Sequence, residues 1–361
     1  MSLTIPAKDL SAALSLVLSA TERKGTIPIL SYVLVEGSKG VVKLTATDID
    51  STLQTELTAE CDDFAWCVPG AKLAALVQLI SGDINLIESK GRILAKSGHT
   101  EHRLPFQPRE AFPAIESAPN RLGSLSGPLF AQLLLTALIA TETNPDGPGW
   151  WLNLELIAKD GKLTVTGCSN ARVSSVAVDF SGEFEANIPL RASRILATFA
   201  ETAESVEIAC SNNLLSLYSS TGAAHSRLSN LKMAEWRILV SPAYEYAIEL
   251  NPETVLPPLK RALLASDSGA VSISLSKSEA ILTATDNDAQ REGREIASIT
   301  SNLNGSTYDL RLMGEQVVDY LKLCKSSVVW QINANNSAMM FRLKENADFQ
   351  WDYIQTTLRV R

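Results

Sequence analysis

Apolar and polar residues follow two different periods along the chain. In segment 10–18, Leu and Val fall at the i, i+4, i+7 and i+8 positions that form one apolar face of a helix. In 41–53, 162–178 and 271–282, apolar and polar residues alternate, and Gly, Asn, Asp and Ser bound the runs. Alternation of this kind predicts antiparallel strands joined by hairpins. The pattern therefore predicts an α+β protein.

One five-residue motif occurs three times at a constant interval. Leu44-Thr-Ala-Thr-Asp48 recurs as Leu163-Thr-Val-Thr-Gly167 and as Leu282-Thr-Ala-Thr-Asp286, about 120 residues apart each time. Helical segments recur with it, two to each interval, at 10–18 and 71–80, 129–141 and 192–200, and 255–265 and Gly314–Leu323. We expect three similar domains, 1–120, 121–242 and 243–361, each built of antiparallel sheets with two helices.

The composition is that of a folded globular protein. Of the 361 residues, 45% are hydrophobic and 20% are charged. The longest apolar run, 129–141, is far shorter than the roughly 20 residues that span a bilayer, and the first residues lack the pattern of a signal peptide. We expect a cytoplasmic protein without membrane contact. The five cysteines show no CxxC spacing, so we expect buried free thiols rather than a zinc site or a disulfide framework.

Four short stretches resemble the beta subunit of bacterial DNA polymerase III, the sliding clamp family. They are Thr26-Ile-Pro-Ile-Leu30, Leu44-Thr-Ala-Thr-Asp-Ile-Asp50, Phe112-Pro113 and Trp151-Leu-Asn153. The resemblance covers the full length and implies three clamp domains that form half of a closed ring, completed by a second copy placed head to tail. It also implies a protein that encircles duplex DNA and confers processivity on DNA polymerase.

Three stretches depart from the family pattern. Cys168-Ser-Asn-Ala-Arg-Val173 replaces T-D-G-H-R-L, Met233-Ala-Glu-Trp-Arg237 replaces F-P-D-Y-R, and Thr356-Thr-Leu-Arg-Val-Arg361 replaces a C-terminal M-P-M-R-L. By resemblance, all three border the cleft in which clamps bind their partners. The chain is thus predicted to be divergent in that cleft.

The resemblance and the distribution of charge together predict a DNA-binding surface. A formal net charge of -8 opposes general attraction to nucleic acid, but an acidic protein can carry one basic face. The residues predicted to contact DNA are Lys24, Lys72, Trp150, Trp151, Arg191, Arg194, Lys260 and Arg261. The alternative for each basic residue is a solvated helix face, and for each tryptophan a place in the core.

The resemblance also implies two surfaces for protein partners. The partner cleft is predicted to comprise Leu154, Cys168, Arg172, Val173, Leu239, Ile354, Thr356, Leu358 and Arg359. The dimer interface is predicted to involve His102, Leu104, Leu263 and Leu264, with an edge strand around 102–104 facing the region 291–295. The expected partners are double-stranded DNA, a second copy of the chain, the DNA polymerase III core, the clamp loader, and other polymerases and repair proteins that carry short peptide motifs.

Two alternatives remain open from the sequence. The first is a specialised clamp-like paralogue with an altered or lost partner cleft. The second is a metal-dependent phosphotransferase or nuclease that uses the carboxylate pairs Asp48 and Asp50 or Asp286 and Asp288. Since the chain has three histidines and no nucleotide-binding loop, we expect no enzymatic activity, no metal and no cofactor.

Overall fold

The computed structural model describes most of the chain. The described residues are 1–22, 27–142, 149–240, 243–286, 290–305, 307–333, 338–343 and 349–358, with Trp150 described in its backbone alone. They form two compact units. Unit A comprises residues 1–132 and 180–229, and unit B comprises residues 133–179 and 230–361.

The helices occur in pairs along the chain. They are α1 (Ala7–Val17), α2 (Gly70–Val77), α3 (Gly127–Leu138), α4 (Leu190–Glu201), α5 (Pro252–Leu263) and α6 (Gly314–Leu323). All six predicted helices are confirmed, and α6 has the predicted bounds. Helix α3 ends before the predicted Thr141, whose hydroxyl bonds back to the carbonyl of Leu138 at 2.7 Å. Helix α5 begins before the predicted position because Asn251 accepts a hydrogen bond from the Glu253 amide.

Antiparallel strands make up the rest of the regular structure. In the first third of the chain they are β1 (Ser2–Pro6), β2 (Tyr32–Ser38), β3 (Val41–Thr47), β4 (Ser51–Thr58), β5 (Glu60–Cys61), β6 (Phe64–Pro69), β7 (Asp83–Ser89), β8 (Arg92–Ser97), β9 (Thr100–Leu104) and β10 (Gln107–Pro108). In the second they are β11 (Arg121–Ser126), β12 (Asn153–Lys159), β13 (Lys162–Cys168), β14 (Arg172–Asp179), β15 (Phe184–Pro189), β16 (Ser205–Cys210), β17 (Leu214–Ser219) and β18 (Gly222–Arg227).

In the last third they are β19 (Tyr246–Leu250), β20 (Ala270–Leu275), β21 (Glu279–Thr285), β22 (Glu292–Ser298), β23 (Thr300–Ser301), β24 (Tyr308–Met313), β25 (Val328–Ile332), β26 (Ala338–Leu343) and β27 (Gln350–Thr356). The three predicted alternating runs each became a hairpin: β3 with β4, β13 with β14, and β20 with β21. The repeated five-residue motif starts within β3, β13 and β21. The α+β prediction is therefore confirmed.

Unit A contains two sheets. One has the order β5-β1-β7-β8-β9, and the other has the order β10-β6-β2-β3-β4-β18-β17-β16-β11. In unit B, one sheet runs β12-β13-β14-β27-β26-β25-β19-β23 and the other runs β22-β21-β20-β24. Helix α1 packs against β3, β4 and α2. Its Leu10, Leu14 and Val17 side chains are fully buried, as the helical spacing predicted.

Two of these ladders join strands from different predicted domains. Within unit A, β4 pairs with β18, so that Thr52 lies opposite His225. Within unit B, β14 pairs with β27, so that Val173 lies opposite Ile354. The two compact units therefore coincide with shared sheets and not with the three sequence repeats. The domain boundaries at 120 and 242 remain predictions.

Among the described residues, no helix is both long enough and apolar enough to cross a membrane.

Candidate functional site

An apolar cluster in unit B gathers side chains from distant parts of the chain. Its buried members are Cys168, Val173, Trp236, Ala338, Met340 and Ile354, with Met233, Leu239, Val240 and Tyr244 partly buried against them. The strand register explains the core of this cluster. Val173 lies opposite both Cys168 on β13 and Ile354 on β27, and Ile354 lies opposite Met340 on β26. Residues in one cross-strand row share a face of the sheet.

The structure brings together Cys168, Val173, Leu239 and Ile354, which are four of the predicted cleft residues. Leu154 is fully buried on β12, outside this cluster. Sequence reasoning missed Met340, which joins the row only through the register of β26, and it quoted Trp236 only as part of a divergent stretch. Burial and the nearby Glu155 raise the pKa of Cys168 to about 12, so this thiol stays protonated and acts as an apolar side chain.

Three other predicted cleft residues, Arg172, Thr356 and Leu358, form polar contacts in unit B. Arg172 Nη1 lies 3.8 Å from Asp319 Oδ2, and within the described residues its Nε and Nη1 are buried without a hydrogen-bond partner. Thr356 donates its hydroxyl hydrogen to the Ala171 carbonyl at 3.2 Å. The Leu358 amide donates to the Arg311 carbonyl at 2.7 Å, which fixes the end of the described chain. Arg359 lies outside the described residues.

The predicted DNA-binding cations fall into two groups. Lys72, Arg194 and Lys260 are exposed on their helices, and in the described part of the chain none of them forms an ion pair. Arg191 and Arg261, by contrast, are held by acidic partners. Arg191 Nε lies 2.7 Å from Asp48 Oδ2, and Arg261 forms two bonds to Glu295, of 3.0 and 2.7 Å.

The other three predicted DNA contacts are Lys24, Trp150 and Trp151. Lys24 and the side chain of Trp150 lie outside the described residues. Trp151 is only 8% exposed, so most of its ring is covered in this structure. Its stacking on bases therefore remains a prediction, and the alternative of a core position agrees with its burial.

The two predicted dimer surfaces lie at the ends of sheets. His102 and Leu104 belong to β9, the last strand of its sheet in unit A. His102 is exposed, whereas Leu104 is 8% exposed. In unit B, β22 ends the four-stranded sheet. Helix α5 packs against β22, and at its end Leu264 is 79% exposed while Leu263 is partly buried.

Two of the four carboxylates considered for a metal site, Asp48 and Asp286, have other partners. Asp48 accepts the Ser51 amide at 2.7 Å and binds Arg191, and burial raises its pKa despite these two contacts. Asp286 binds Arg291 at 3.1 Å, and bonds from Arg291 and Gln290 lower its pKa. No group of three or more His, Cys, Asp or Glu in the described ranges has the arrangement of a metal site. Asp288 lies outside those ranges.

Comparisons with known proteins agree with this fold. Residues 1–116 match the family model of the DNA polymerase III beta subunit, N-terminal domain. The beta sliding clamp of Haemophilus influenzae is 22% identical over 339 residues, covering 91% of this chain and 92% of that protein. The beta sliding clamp of Pseudomonas putida is 31% identical over 128 residues, or 34% of each chain. The beta sliding clamp homolog GriR of Streptomyces muensis is 21% identical over 91% of this chain and 90% of its own length.

Solved structures match over the whole length. The DNA polymerase III beta subunit of Pseudomonas aeruginosa has a TM-score of 0.90 at 19% identity, and that of Thermotoga maritima has a TM-score of 0.90 at 14% identity, each covering 100% of both chains. The chain thus has the fold of the beta sliding clamps. Its residues 1–116 match the DNA polymerase III beta subunit family, and the chain is similar over nearly its whole length to a beta sliding clamp.

Proposed function

We propose that this chain is a DNA sliding clamp: three clamp domains that form half of a ring, closed around duplex DNA by a second copy. The observation that carries the proposal is the pair of sheet ends in the first and third repeats, β9 and β22. An edge strand exposes unpaired amides and carbonyls, and pairing with another chain satisfies them. Because β9 and β22 are different surfaces, their contact is head to tail and must close or form a filament.

The proposed mechanism is topological and not enzymatic. A closed ring stays on DNA because it is linked around the duplex, so each phosphate contact can be weak and exchange rapidly during sliding. Among the predicted DNA contacts, Lys72, Arg194 and Lys260 are exposed and form no ion pair with the described residues, so they are available for such contacts. The chain would act in the cytoplasm, with a separate loader to open the ring, and would confer processivity on the polymerase III core.

Retention on circular DNA tests this proposal. Protein loaded by a clamp loader onto nicked circular plasmid is expected to stay bound through gel filtration and to leave when the plasmid is cut once. The same plasmid with both ends blocked after cutting is the control, and retention should return. Equal retention on open linear and circular DNA, or complete loss from both at moderate salt, would contradict topological binding.

The proposed partner site is the apolar cluster of unit B with its polar surroundings. Short peptides with apolar and aromatic anchors bind grooves of this composition, and polymerases and repair proteins would be recruited in this way. A second candidate is a specialised clamp-like paralogue. The divergent stretch 233–237 favours it, because this stretch places Trp236 within the cluster and leads into Ile238, which is 80% exposed.

Peptide binding separates these two candidates. A fluorescent clamp-binding peptide is expected to bind the wild-type chain at micromolar concentration, and Leu239→Asp is expected to weaken binding at least tenfold. Leu79→Asp, at an 87% exposed leucine in unit A, is the matched control. If wild-type protein retains circular DNA but binds no such peptide, the paralogue is favoured.

A further inference from the structure

Two arginines on α4 face the same cavity in unit A but have different surroundings. Arg191 and Arg194 lie one helical turn apart, a spacing that places side chains on the same helix face. The cavity has a volume of about 590 Å³ and is lined by α4 and by residues of segment 18–22, which follows α1. Leu18 and Ile195 provide apolar surface, and Arg194 and Glu22 provide charge.

Arg191 is tied to two other segments of unit A. Its Nε lies 2.7 Å from Asp48 Oδ2, and its Nη2 donates to the Thr21 carbonyl at 2.8 Å. The carboxylate is well placed to hold it: the Asp48 side chain is 11% exposed, and its other oxygen accepts the Ser51 amide at 2.7 Å. One guanidinium thus joins the start of α4, the β3–β4 turn and the end of the segment that follows α1.

Arg194 has none of these ties. It is exposed, and in the described part of unit A its guanidinium has no acidic partner. Thr198 donates its hydroxyl hydrogen to the Arg194 carbonyl at 2.9 Å, which leaves the side chain uninvolved. Arg191 forms an ion pair with Asp48, whereas Arg194 forms no ion pair with any described residue.

We propose that Arg191 is a positioning residue, which holds α4 to Thr21 and Asp48, and that Arg194 is the arginine of α4 that meets a DNA phosphate. The proposal rests on the proposed DNA-binding function for Arg194 and on the contacts of unit A for Arg191. The proposal gives different roles to two arginines that the sequence analysis predicted to be DNA contacts alike. It also assigns Asp48, the acidic residue of the first repeat motif, a structural partner in place of a metal.

Hydrogen exchange of the free protein tests the role of Arg191 without DNA. Arg191→Gln and Asp48→Asn are each expected to speed exchange at the Thr21 and Glu22 amides about tenfold, and the double variant no more than either single one. Arg191→Lys, which keeps the charge and a donor for the Thr21 carbonyl, should retain much of the protection. Arg227→Gln, which breaks an exposed ion pair to Glu116 in the same unit, is the control. Independent, additive effects of the two substitutions would overturn the positioning role.

The salt dependence of duplex binding tests the division between the two arginines. Each phosphate neutralised contributes about one unit to the slope of log affinity against log salt. Arg194→Gln is expected to reduce the slope by about one unit. Arg191→Gln and Asp48→Asn should leave the slope unchanged and weaken binding a few-fold at fixed salt.

The opposite pattern would overturn the proposal. If Arg191 were the phosphate ligand, Asp48→Asn would free it and strengthen binding, and Arg191→Gln would reduce the slope. If the wild-type chain binds no DNA, the proposed function and the role of Arg194 both fail. The exchange experiment then still decides whether Arg191 positions α4.

Discussion

At the scale of single residues, Gly167 explains a difference among the three repeats. The first and third repeat motifs end in aspartate, and the second ends in this glycine. A Cβ at position 167 would lie 2.1 Å from the carbonyl oxygen of Ala137 and 2.9 Å from Thr141 Cγ2. The backbone of α3 therefore approaches β13 too closely for any side chain, and the aspartate of the other repeats could not be accommodated.

Gly167→Ala is expected to destabilise the protein by about 3 kcal/mol or more, because the added methyl group would overlap the α3 backbone and α3 would have to move away from β13. Urea unfolding followed by tryptophan fluorescence measures the loss. Gly91→Ala is a useful comparison: its site is open but has a φ of 72°, so it should cost only about 1 kcal/mol. Equal losses for the two variants would contradict the close approach of α3.

His225 is a buried titratable residue at the ladder between β4 and β18. Its ring is 3% exposed, and Nδ1 lies 2.9 Å from the Ser216 hydroxyl. Burial, and then the charges of Lys43 and Arg121, lower its pKa from 6.5 to about 4. The unfolded chain therefore binds a proton at a pH where the folded chain does not, and stability is lost as pH falls from about 6.5 towards 4.

We predict that the free energy of unfolding falls by about 2 kcal/mol between pH 7 and pH 5 through this residue. Denaturant unfolding at both pH values checks this prediction, with His225→Gln as the comparison. The variant is less stable at neutral pH because it loses the bond to Ser216, but its stability should change less with pH. Parallel pH dependence in the two proteins would rule out His225 as the source.

At the scale of secondary structure, α5 combines a strong start with an unfavourable middle. Asn251 accepts the Glu253 amide at 2.9 Å, and Pro252 occupies the first turn, where a missing amide hydrogen costs little. Pro257 and Pro258 lie further inside, where each removes a backbone hydrogen bond. The buried residues Val255, Leu259 and Ala262 hold the helix in place by packing.

Because α5 lacks those internal bonds, its cap should matter more than usual. Asn251→Ala is expected to cost about 1–2 kcal/mol, and Asn251→Asp, which keeps the acceptor, much less. Thermal denaturation of both variants measures the difference. If alanine and aspartate have the same effect, the side-chain oxygen of Asn251 does not stabilise the helix.

Elements, their periods and the hairpins between neighbouring strands could be predicted from the sequence, but the pairing of distant strands could not. The spacing of apolar residues located the first helix, since it reflects which face is buried, and the repeat located the other five to within a few residues. The pairing of β14 with β27 joins strands far apart in the chain, and no local pattern encodes such a register. For the same reason Cys168, Val173 and Ile354 were grouped by family resemblance, while Met340 was missed.

At the scale of the whole molecule, the proposed ring would close through the surfaces at β9 and β22. Leu264 is 79% exposed and Ile296 on β22 is 50% exposed, so both apolar side chains are available for a partner to cover. A dimer of the 39.0 kDa chain is the expected state in solution.

Leu264→Asp combined with Ile296→Asp is expected to convert this dimer into monomers, because two charges would be buried without partners. Light scattering at micromolar concentration measures the mass, and circular dichroism checks that the fold is kept. Leu79→Asp should remain a dimer. A wild-type monomer, or a variant that stays dimeric, would contradict this interface.

Two strand pairs cross the predicted domain boundaries, and they bear on whether one predicted domain could fold by itself. The β4–β18 and β14–β27 pairs each join strands of neighbouring predicted domains in one sheet. A fragment cut at residue 120 would keep its motif and its two helices but expose the bare edge of β4. Such a fragment should aggregate, so the predicted first domain is not expected to be stable as a separate chain.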